Sequence, residues 1–309
     1  MFDRVPFPAR RVEQMLEQTP LVSIVTPSLN GGNFLEATLS SVLSQNYANI
    51  EFLVMDGGST DNTTLILQKF KHRLRYLSQP DAGQADAINR GIAMTSGSIC
   101  GFLNADDTYL PGAIAAAVQA FAENPAAGVI YGNAWYIGED GTRIAPYPVE
   151  PFDPGKLARR CFICQPAAFF RRDVFEECGM LNPDLRFAMD YDLWIRIARR
   201  YPLVKIDAFL ANSRLHGDAK TVKQTAAAMQ ETIGVLKSHY GYVPYNWLYG
   251  YMHHRLTGQS VARERPRLAM GSASASFALG LAHNWRHPIR YGRDLFATAR
   301  EGLGWSNLS

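Results

Sequence analysis

Two adjacent carboxylates, Asp106 and Asp107, follow a short apolar run that spans Ile99 to Leu103. Neighbouring carboxylates raise the free energy of ionising one another, so the pair needs a physical reason. A cap on the following helix would use one of them at most. A divalent cation, bound by one or two carboxylates and by phosphate oxygens, would use both. We favour the cation because it accounts for both charges, and a helix cap is the alternative.

Two further polar motifs end apolar segments: "TPSLN" at Thr26 to Asn30, and "DGGSTD" at Asp56 to Asp61. The second motif is typical of a glycine turn into a helix, with one of its hydroxyl or carboxylate residues as the N-cap. Capping leaves Asp56, at the tip of its strand, without a structural task and favours a ligand contact there. In a doubly wound sheet, ligands bind beyond the carboxyl ends of the strands. Three polar motifs at such ends therefore predict a single polar pocket.

The elements that would position these residues alternate between strand and helix from Leu21 to Tyr131. Short apolar, β-branched runs predict strands. The stretches between them predict helices at about 34–44, 63–71, 85–94 and 111–122, with Pro111 in the first turn of the last one. Such alternation predicts an α/β fold with a mostly parallel sheet flanked by helices. Further helices are expected in "AMDYDLWIRIARRY", with Leu193, Trp194, Ile197 and Tyr201 on one face, and at about 221–240.

The composition describes an ordinary globular protein and excludes several classes. The chain has 309 residues, of which 47% are hydrophobic and 19% are charged, and its formal net charge is +3. This charge is too small to indicate nucleic acid as the main partner. No stretch reaches the ~20 predominantly apolar residues that a membrane span needs. The first residues also lack the apolar region of a signal peptide, so we expect a cytoplasmic protein.

Four segments, taken in order, resemble the inverting nucleotide-sugar glycosyltransferases of family 2, which have the GT-A fold. They are "VSIVTPSLNGGNFLEATLSSVLSQNY", "EFLVMDGGSTDNT", "GFLNADD" and "AMDYDLWIRIA", and the resemblance covers roughly Leu21 to His216. It implies a metal-dependent enzyme that transfers a sugar from a nucleotide-sugar donor to a hydroxyl of a glycan or lipid-linked saccharide acceptor. Such enzymes commonly build bacterial surface polysaccharides.

We expect the chain to comprise three parts, and the resemblance covers the middle one. An N-terminal arm would span 1–20, a GT-A catalytic domain 21–220, and a helical C-terminal extension 221–309. Within the catalytic domain, 21–131 would bind the nucleotide-sugar and 132–220 would bind the acceptor.

By resemblance, four segments form the donor pocket. Its residues would be Thr26, Pro27, Asn30 and Asp56 on the first two strand tips, Asp81, Gly83, Gln84 and Asn89 in "QPDAGQADAINRG", and Asn104, Ala105 and Asp106 at the family's DxD motif. Two positions depart from the family pattern. Gly57 stands where many members have a second Asp, which bears on recognition of the nucleotide base. Asn104 stands in place of the first acid of the DxD motif.

The resemblance further assigns the metal ligands and the catalytic base. Asp106, Asp107 and His216 would hold Mn²⁺ or Mg²⁺, which stabilises the charge on the departing diphosphate. Asp190 would remove the proton of the acceptor hydroxyl as its oxygen attacks the anomeric carbon. A carboxylate at the start of a helix also serves as a cap, and this alternative stays open. The residues expected to face the acceptor are Gln165, Asp192 and Trp194.

Two segments toward the C-terminus have open interpretations. Residues 212–221 are expected to form a loop, which either closes over the diphosphate or is merely solvated. The tail from about Tyr242 mixes tryptophan and tyrosine with arginine and histidine, which suits the surface of a membrane. A helical arm packed on the core, or a dimer contact, is the alternative. We expect a cytoplasmic protein that is peripheral on the inner face of the membrane.

Two other functions stay open from the sequence. A dinucleotide-dependent oxidoreductase shares the strand–helix alternation, but "SLNGGNF" rather than G-x-G-x-x-G follows the first strand. A glycan-binding or scaffolding protein with an inactive site is compatible with the departures at Gly57 and Asn104.

Overall fold

The computed structural model describes residues 19–219, 223–258 and 266–300, with the side chains of all of these except 266–270 and 299–300. Its strands are β1 Val22–Ser28, β2 Ile50–Asp56, β3 Arg75–Ser78, β4 Ile99–Phe102, β5 Thr108–Tyr109, β6 Val129–Ile137, β7 Arg143–Pro146, β8 Ala168–Arg171 and β9 Leu203–Arg214. Its helices are α1 Leu35–Leu43, α2 Thr63–Phe70, α3 Gln84–Ala93, α4 Ala113–Glu123, α5 Pro154–Arg159, α6 Asp173–Cys178, α7 Met189–Ala198, α8 Thr225–Tyr240, α9 Tyr245–Thr257, α10 Pro266–His283 and α11 Pro288–Arg300. A 3₁₀ turn at Gln165–Ala167 precedes β8.

One sheet joins the strands of the described residues, in the order β3-β2-β1-β4-β8-β6-β9-β5, with β7 paired to β6. The first four strands in this order run parallel. All seven residues of β1 are buried, as expected for a strand inside a parallel sheet that is covered on both faces. The α/β fold predicted from the alternating pattern is confirmed.

The sheet becomes mixed beyond β4, which the alternating pattern does not indicate. β8 pairs antiparallel with β4 and with β6, and β5 pairs antiparallel with β9. β6 and β9 are parallel to each other. Antiparallel neighbours need no helical crossover between them, so the irregular, proline-containing stretch after Gly132 can supply strands directly.

Two predicted boundaries differ from the structure. α4 begins at Ala113 rather than at Pro111, because Gly112 holds a left-handed φ of +82° that interrupts a right-handed helix. Pro111 therefore precedes the helix. Residues 212–214, expected in a loop, are the last residues of β9. The start of the helix expected from about residue 221 lies outside the described residues, and α8 spans Thr225–Tyr240.

The buried faces of two helices follow from their sequence pattern. The face predicted for "AMDYDLWIRIARRY" is confirmed, since its four apolar residues are buried: Leu193, Trp194, Ile197 and Tyr201. In α1 the buried residues are Leu35, Thr38, Leu39 and Val42, which is the spacing of one helix face. Thr38 is the polar member of that face, and a buried hydroxyl requires a hydrogen-bond partner.

The chain divides into two compact units. One contains the residues up to Phe152 together with Phe162–His216, and the other contains Asp153–Cys161 together with the residues from Gly217 onward. α5 thus belongs to the second unit, where Arg159 pairs with Asp294 at 2.9 Å. Residues 153–161, predicted to lie in the acceptor-binding half, thus group with the C-terminal part of the chain. In the described parts of the chain, the helices lack the combination of length and apolar character that crossing a membrane requires.

Gly91 lets α3 approach β1 closely, and its replacement tests this packing. A Cβ at Gly91 would lie 2.4 Å from Val25 Cγ1 and 3.1 Å from Met55 Cγ. We expect Gly91→Ala to lower the free energy of unfolding by about 1–3 kcal/mol, measured by urea denaturation. Gly234→Ala is the matched control, because a Cβ at this position in α8 meets no atom within 4 Å. The control should stabilise the protein by about 0.5–1 kcal/mol, and equal effects at both positions would contradict the close approach.

Candidate functional site

The tips of β1, β2 and β4 lie at one edge of the sheet. Ser28 pairs with Asp56 where β1 and β2 end, and Val25 pairs with Phe102 at the end of β4. The N–H of Leu103 then donates to the Val25 carbonyl at 2.9 Å. Because the three strands are parallel, the segments that follow them leave at the same edge. The structure therefore brings together the three polar motifs that the sequence analysis singled out.

Asn30 ties the first two of these motifs together. It holds a φ of +52°, a left-handed conformation that asparagine adopts more readily than most residues. Its N–H donates to Ser59 Oγ at 2.7 Å, and its Oδ1 accepts from the Thr60 N–H at 2.9 Å. The N–H of Gly32 donates to Asp61 Oδ2 at 2.9 Å. Asn30 is exposed, and its side chain also closes the two loops on each other.

Asp56 is buried and has the structural task that the sequence did not reveal. Its carboxylate accepts hydrogen bonds from the N–H of Ser59 at 3.2 Å, from the Ser59 hydroxyl, and from the Ser78 hydroxyl at 2.5 Å. The adjacent Gly57 faces Asp81, because a Cβ on Gly57 would lie 2.8 Å from an Asp81 carboxylate oxygen. An acid from another segment therefore fills the space that a second Asp at position 57 would need.

Thr26 and Pro27 lie within β1 and are buried. Within the described residues, Thr26 Oγ1 and Ser28 Oγ are buried hydroxyl oxygens without a hydrogen-bond partner. Leaving a buried polar atom unpaired is costly, so such atoms call for an explanation. Both stand at the end of β1 that leads to the polar edge.

Asn104 is the centre of a chain of side-chain amides. Its Oδ1 accepts from Gln84 Nε2 at 2.6 Å, and its Nδ2 donates to Gln165 Oε1 at 3.2 Å and to Asp107 Oδ2 at 3.3 Å. Gln165 Nε2 donates to the carbonyl of Phe102 at 2.6 Å. The structure thus brings Gln84, predicted to bind the donor, and Gln165, predicted to face the acceptor, to the same strand tip.

The two adjacent acids have different surroundings. Asp106 is half-buried, and its Oδ2 lies 3.0 Å from His216 Nε2. Asp107 is buried, with Oδ1 accepting from the Arg214 N–H at 2.9 Å and Oδ2 accepting from Asn104. Burial, and then the negative charge of Asp106, raise the pKa of the Asp107 carboxyl well above its usual range, although those two hydrogen bonds lower it in part. Asp106 and His216 are therefore the pair that a cation would meet, while Asp107 is turned into the interior.

Arg214 and Thr38 hold the acidic loop in place, and neither was predicted in this role. The buried Arg214 side chain donates at 2.8–2.9 Å to three backbone carbonyls, those of Asp106, Gly138 and Glu139. Thr38 Oγ1 lies 2.9 and 2.7 Å from the carbonyl oxygens of Ala105 and Asp107. The signal that could have found Thr38 is its place on the otherwise apolar face of α1.

Asp190 lies in the first turn of α7 and is half-buried. The N-cap position is held by Ala188, whose side chain cannot accept a hydrogen bond. Asp190 Oδ1 accepts from the N–H of Tyr191 at 2.7 Å. The carboxylate therefore bonds the helix start, and its role as the base stays a prediction.

Two residues predicted to face the acceptor have structural partners. Trp194 is fully buried and stacks on Phe170, with ring centroids 5.2 Å apart, so it presents no surface to an acceptor. Asp192 Oδ2 accepts from Arg196 Nε at 2.8 Å. Arg196 in turn donates to the backbone carbonyls of residues 178–180. This ion pair holds the start of α7 against the segment that ends α6.

α3 connects the polar edge with the segment that leads to α7. Gln84, at its start, contacts Asn104, and Asn89, five residues later, donates to the Leu181 carbonyl at 2.8 Å and accepts from the Leu181 N–H at 3.0 Å. A rise of about 1.5 Å per residue puts these two contacts about 7–8 Å apart along the helix. Asn89, predicted to approach the donor, thus uses both ends of its amide to hold Leu181.

The family of the chain is shown by its sequence. The sequence model described as Glycosyl transferase family 2 matches residues 23–179, just over half of the chain. This chain belongs to that family. The prediction of a glycosyltransferase is confirmed at this level, and the dinucleotide-dependent oxidoreductase is set aside.

Two relatives show how the match is distributed. An "Uncharacterized glycosyltransferase" of Rickettsia felis is 31% identical over 219 residues, which are 66% of this chain and 36% of that protein. The hyaluronan synthase of Pasteurella multocida is 26% identical over 232 residues, which are 72% of this chain and 24% of that protein. The match therefore spans only about a quarter to a third of these relatives.

Two solved structures show the fold. S. aureus TarS 1-349 in complex with UDP-GlcNAc has a TM-score of 0.56 at 14% identity, over 88% of this chain and 92% of that one. The mannosyltransferase PcManGT from Pyrobaculum calidifontis, in complex with GDP-Man and Mn2+, has a TM-score of 0.53 at 17% identity, over 95% of this chain and 82% of that one. The GT-A fold predicted from the motifs is confirmed.

Proposed function

We propose that this protein is a metal-dependent inverting glycosyltransferase that acts in the assembly of a cell-surface polysaccharide. It would transfer a sugar from a nucleotide-sugar donor to a hydroxyl of a glycan or lipid-linked saccharide. The observation that carries the proposal is the Asp106–His216 pair, 3.0 Å apart, at the edge where the parallel strands end. Hyaluronan synthase among the relatives supports a polysaccharide product. UDP-GlcNAc and GDP-Man in the two structural neighbours support a nucleotide-sugar donor.

The donor would lie along the strand edge. The residues proposed to contact it are Thr26, Pro27, Asn30, Asp56, Asp81, Gln84, Asn104, Ala105 and Asp106. Asn89 would contribute indirectly, by holding the backbone of Leu181. The acid beside the nucleotide base would be Asp81, because it fills the space next to Gly57. The unpaired hydroxyl of Thr26 would gain a partner from the donor.

Asp106 and His216 would hold Mn²⁺ or Mg²⁺. Among the described residues, no three histidine, cysteine or acidic side chains come together. Two protein ligands fit a cation whose other positions are taken by diphosphate oxygens and water, as is usual for Mg²⁺. When bound, the cation would neutralise the charge that develops on the leaving diphosphate. Asp107 would support this site through its hydrogen bond to Arg214 rather than as a ligand.

Asp190 would be the general base. The acceptor oxygen forms a bond to the anomeric carbon while its proton passes to the Asp190 carboxylate. The bond from that carbon to the β-phosphate oxygen breaks, and its electron pair stays on the nucleoside diphosphate. Attack from the face opposite the leaving group inverts the anomeric configuration. The contacts of α3 with Asn104 and Leu181 support an active site that includes the start of α7.

The acceptor side of the site would include Gln165, whose side-chain amide accepts a hydrogen bond from Asn104, the first residue of the DxD motif. Asp192 would contribute indirectly, because its carboxylate forms an ion pair with Arg196 and so holds α7 in place. We further propose that the protein is peripheral on the inner face of the cytoplasmic membrane, where a lipid-linked acceptor would be available.

Asp190→Asn tests the base, because it keeps the shape of the side chain and removes its proton affinity. We expect the rate of sugar transfer to fall by about 10²–10⁴-fold, while the Kd for the nucleotide changes little. Transfer is measured with the donor selected from a thermal-shift panel of nucleotide sugars with Mn²⁺. Asp184→Asn, an exposed acid of the preceding loop, is the control and should leave the rate unchanged. A variant at position 190 that keeps most of the activity would show that another group takes the proton.

Asp106→Ala tests the cation site. Calorimetry with UDP or GDP should show Mn²⁺-dependent binding by the wild type and its loss in the variant, because half of the protein's contribution to the cation is removed. His216→Ala should act in the same direction, and Glu36→Ala, at an exposed acid of α1, should have no effect. Nucleotide binding that is unchanged in both site variants would dismiss them as ligands. An inactive scaffold would bind the nucleotide-sugar yet release no nucleoside diphosphate from it.

A further inference from the structure

The outward face of α11 is apolar. Ile289 and Phe296 are 75% and 72% exposed, and Trp285, just before the helix, is 67% exposed. Ile289 and Phe296 are seven positions apart, or about two helical turns, which places them on the same face of the helix. The buried residues Tyr291 and Thr298 occupy the opposite face. α11 thus packs on its own unit with one side and presents large apolar side chains to solvent with the other.

Within residues 271–298, the exposed arginines carry charge of one sign. Arg286, Arg290 and Arg293 are exposed, as is His287. Within residues 271–298, the one acid is Asp294, which is half-buried and paired with Arg159 at 2.9 Å. The exposed surface around Ile289 and Phe296 is therefore cationic and apolar, without an exposed acid in that range.

We infer that the outward face of α11 docks on an anionic phospholipid surface. A helix that lies in the membrane interface buries apolar side chains below the headgroups, and its arginines meet the phosphates. The 13 residues of α11 span about 20 Å, which is long enough to lie flat on such a surface. Tryptophan is favoured at this depth because its ring is apolar and its N–H is polar. This inference rests on the membrane association proposed above, and it is independent of the proposed sugar-transfer chemistry.

A second copy of the chain is the other occupant that an exposed apolar face could take. In a two-fold contact the same patch faces itself, so the arginines of one copy would meet those of the other. With no exposed acid in 271–298 to pair with them, the contact would carry an electrostatic cost. The charge pattern therefore favours anionic lipid over self-association.

Vesicle flotation with the full chain tests the inference. We expect the wild type to bind vesicles of phosphatidylcholine with phosphatidylglycerol, to leave vesicles of phosphatidylcholine alone, and to lose binding as salt is raised. Ile289→Ser with Phe296→Ser should lower the partition coefficient by at least tenfold. Arg286→Gln with Arg293→Gln should lower it by roughly fivefold for each charge removed.

Leu65→Ser with Ile144→Ser is the matched control, because these side chains are 63% and 58% exposed but lie in the other unit. The control should bind vesicles as the wild type does. Absence of binding, or equal losses in the control and the α11 variants, would overturn the inference. So would a dimer, detected by light scattering, that Phe296→Ser dissolves while vesicle binding persists.

The chain of amides through Asn104 carries a second inference, which rests on the proposed function. The carbonyl of Phe102 can only accept a hydrogen bond, so Gln165 must present Nε2 to it and Oε1 to Asn104. Asp107 Oδ2 also accepts, from Asn104 Nδ2 at 3.3 Å. The atom of residue 104 that faces both groups must therefore be a donor, and an amide nitrogen meets this need.

We propose that Asn104 is a positioning residue, and that an acid at this position weakens the site although the family motif has one. An Asp would place a carboxylate oxygen about 3 Å from both Gln165 Oε1 and Asp107 Oδ2, where Asn104 Nδ2 now lies. Two attractive contacts would become repulsive. Asp107 has no room to relax, since its other oxygen accepts from the Arg214 N–H.

A swap of the two side chains tests this proposal. Asn104→Asp and Asp107→Asn should each lower the Tm of the metal-free protein by several degrees. The first substitution places two acceptor oxygens against each other, and the second places two donor N–H groups against each other. The double variant restores one donor facing one acceptor, so its loss of Tm should be clearly smaller than the sum of the two. Additive losses would overturn the proposal.

The affinity for Mn²⁺ with nucleotide separates positioning from a merely structural role. If residue 104 were a ligand position, Asn104→Asp would tighten Mn²⁺-dependent nucleotide binding in calorimetry. We expect weaker binding, by roughly tenfold, with partial recovery in the double variant. Tighter binding would overturn the proposal. A wild type that binds no nucleotide would count against the proposed function, and the pattern of Tm values would still decide on the amide chain.

Discussion

The hydrogen bond from the Arg214 N–H to the buried Asp107 carboxylate joins the end of β9 to the loop after β4. The Arg214 side chain reinforces this junction by donating to the carbonyl of Asp106. His216 follows Arg214 by two residues, so the junction is what brings its imidazole to Asp106. If the junction were lost, the two proposed cation ligands would lie on segments joined only farther along the chain, where β5 pairs with β9. The buried Asp107 carboxylate is therefore the group on which the proposed cation site depends.

The rest of the acidic loop is fixed in the same way, by donors from several elements. Thr38 bonds the loop from α1, and Gln84 reaches Asn104 from α3. Immediately after Asp107, β5 pairs with β9, matching Thr108 to Asn212. Each contact comes from a different part of the sequence, so the loop is held rigidly without being regular structure. Such preorganisation lets a site bind charge without first rearranging.

The parts of the fold that the sequence predicts are those with local signals. Strand tips, helix faces and the order of motifs follow from periodicity and turn chemistry. The apolar stripe of α7, which includes Trp194, is visible in the spacing of its apolar residues. The same stripe shows why Trp194 is a core residue: a position on the apolar face of a helix is buried, whatever a family motif implies. The spacing of Asp192 and Arg196 likewise indicates an ion pair within one helix.

The contacts that the sequence does not reveal are between distant segments. Asp56 with Ser78, Asn89 with Leu181, and Asp107 with Arg214 depend on tertiary structure, and no local pattern marks these partners. The direction of β5 and β8 in the sheet is also a tertiary property. Side chains with several possible roles, such as Asn89, were assigned by resemblance to the donor, whereas their hydrogen bonds show that they join protein segments.

The excursion of the chain through α5 has a consequence for how the protein can be divided. The polypeptide leaves the first unit after Phe152, forms α5 and returns at Phe162, long before it leaves again near Gly217. α5 is held where it lies by the ion pair of Arg159 with Asp294 and by the bond of the Arg159 carbonyl to Asn246. Cutting the chain once near residue 217 would remove both of these partners of α5. A single cut therefore cannot separate the two units, because segments of the first unit flank α5 on both sides along the chain.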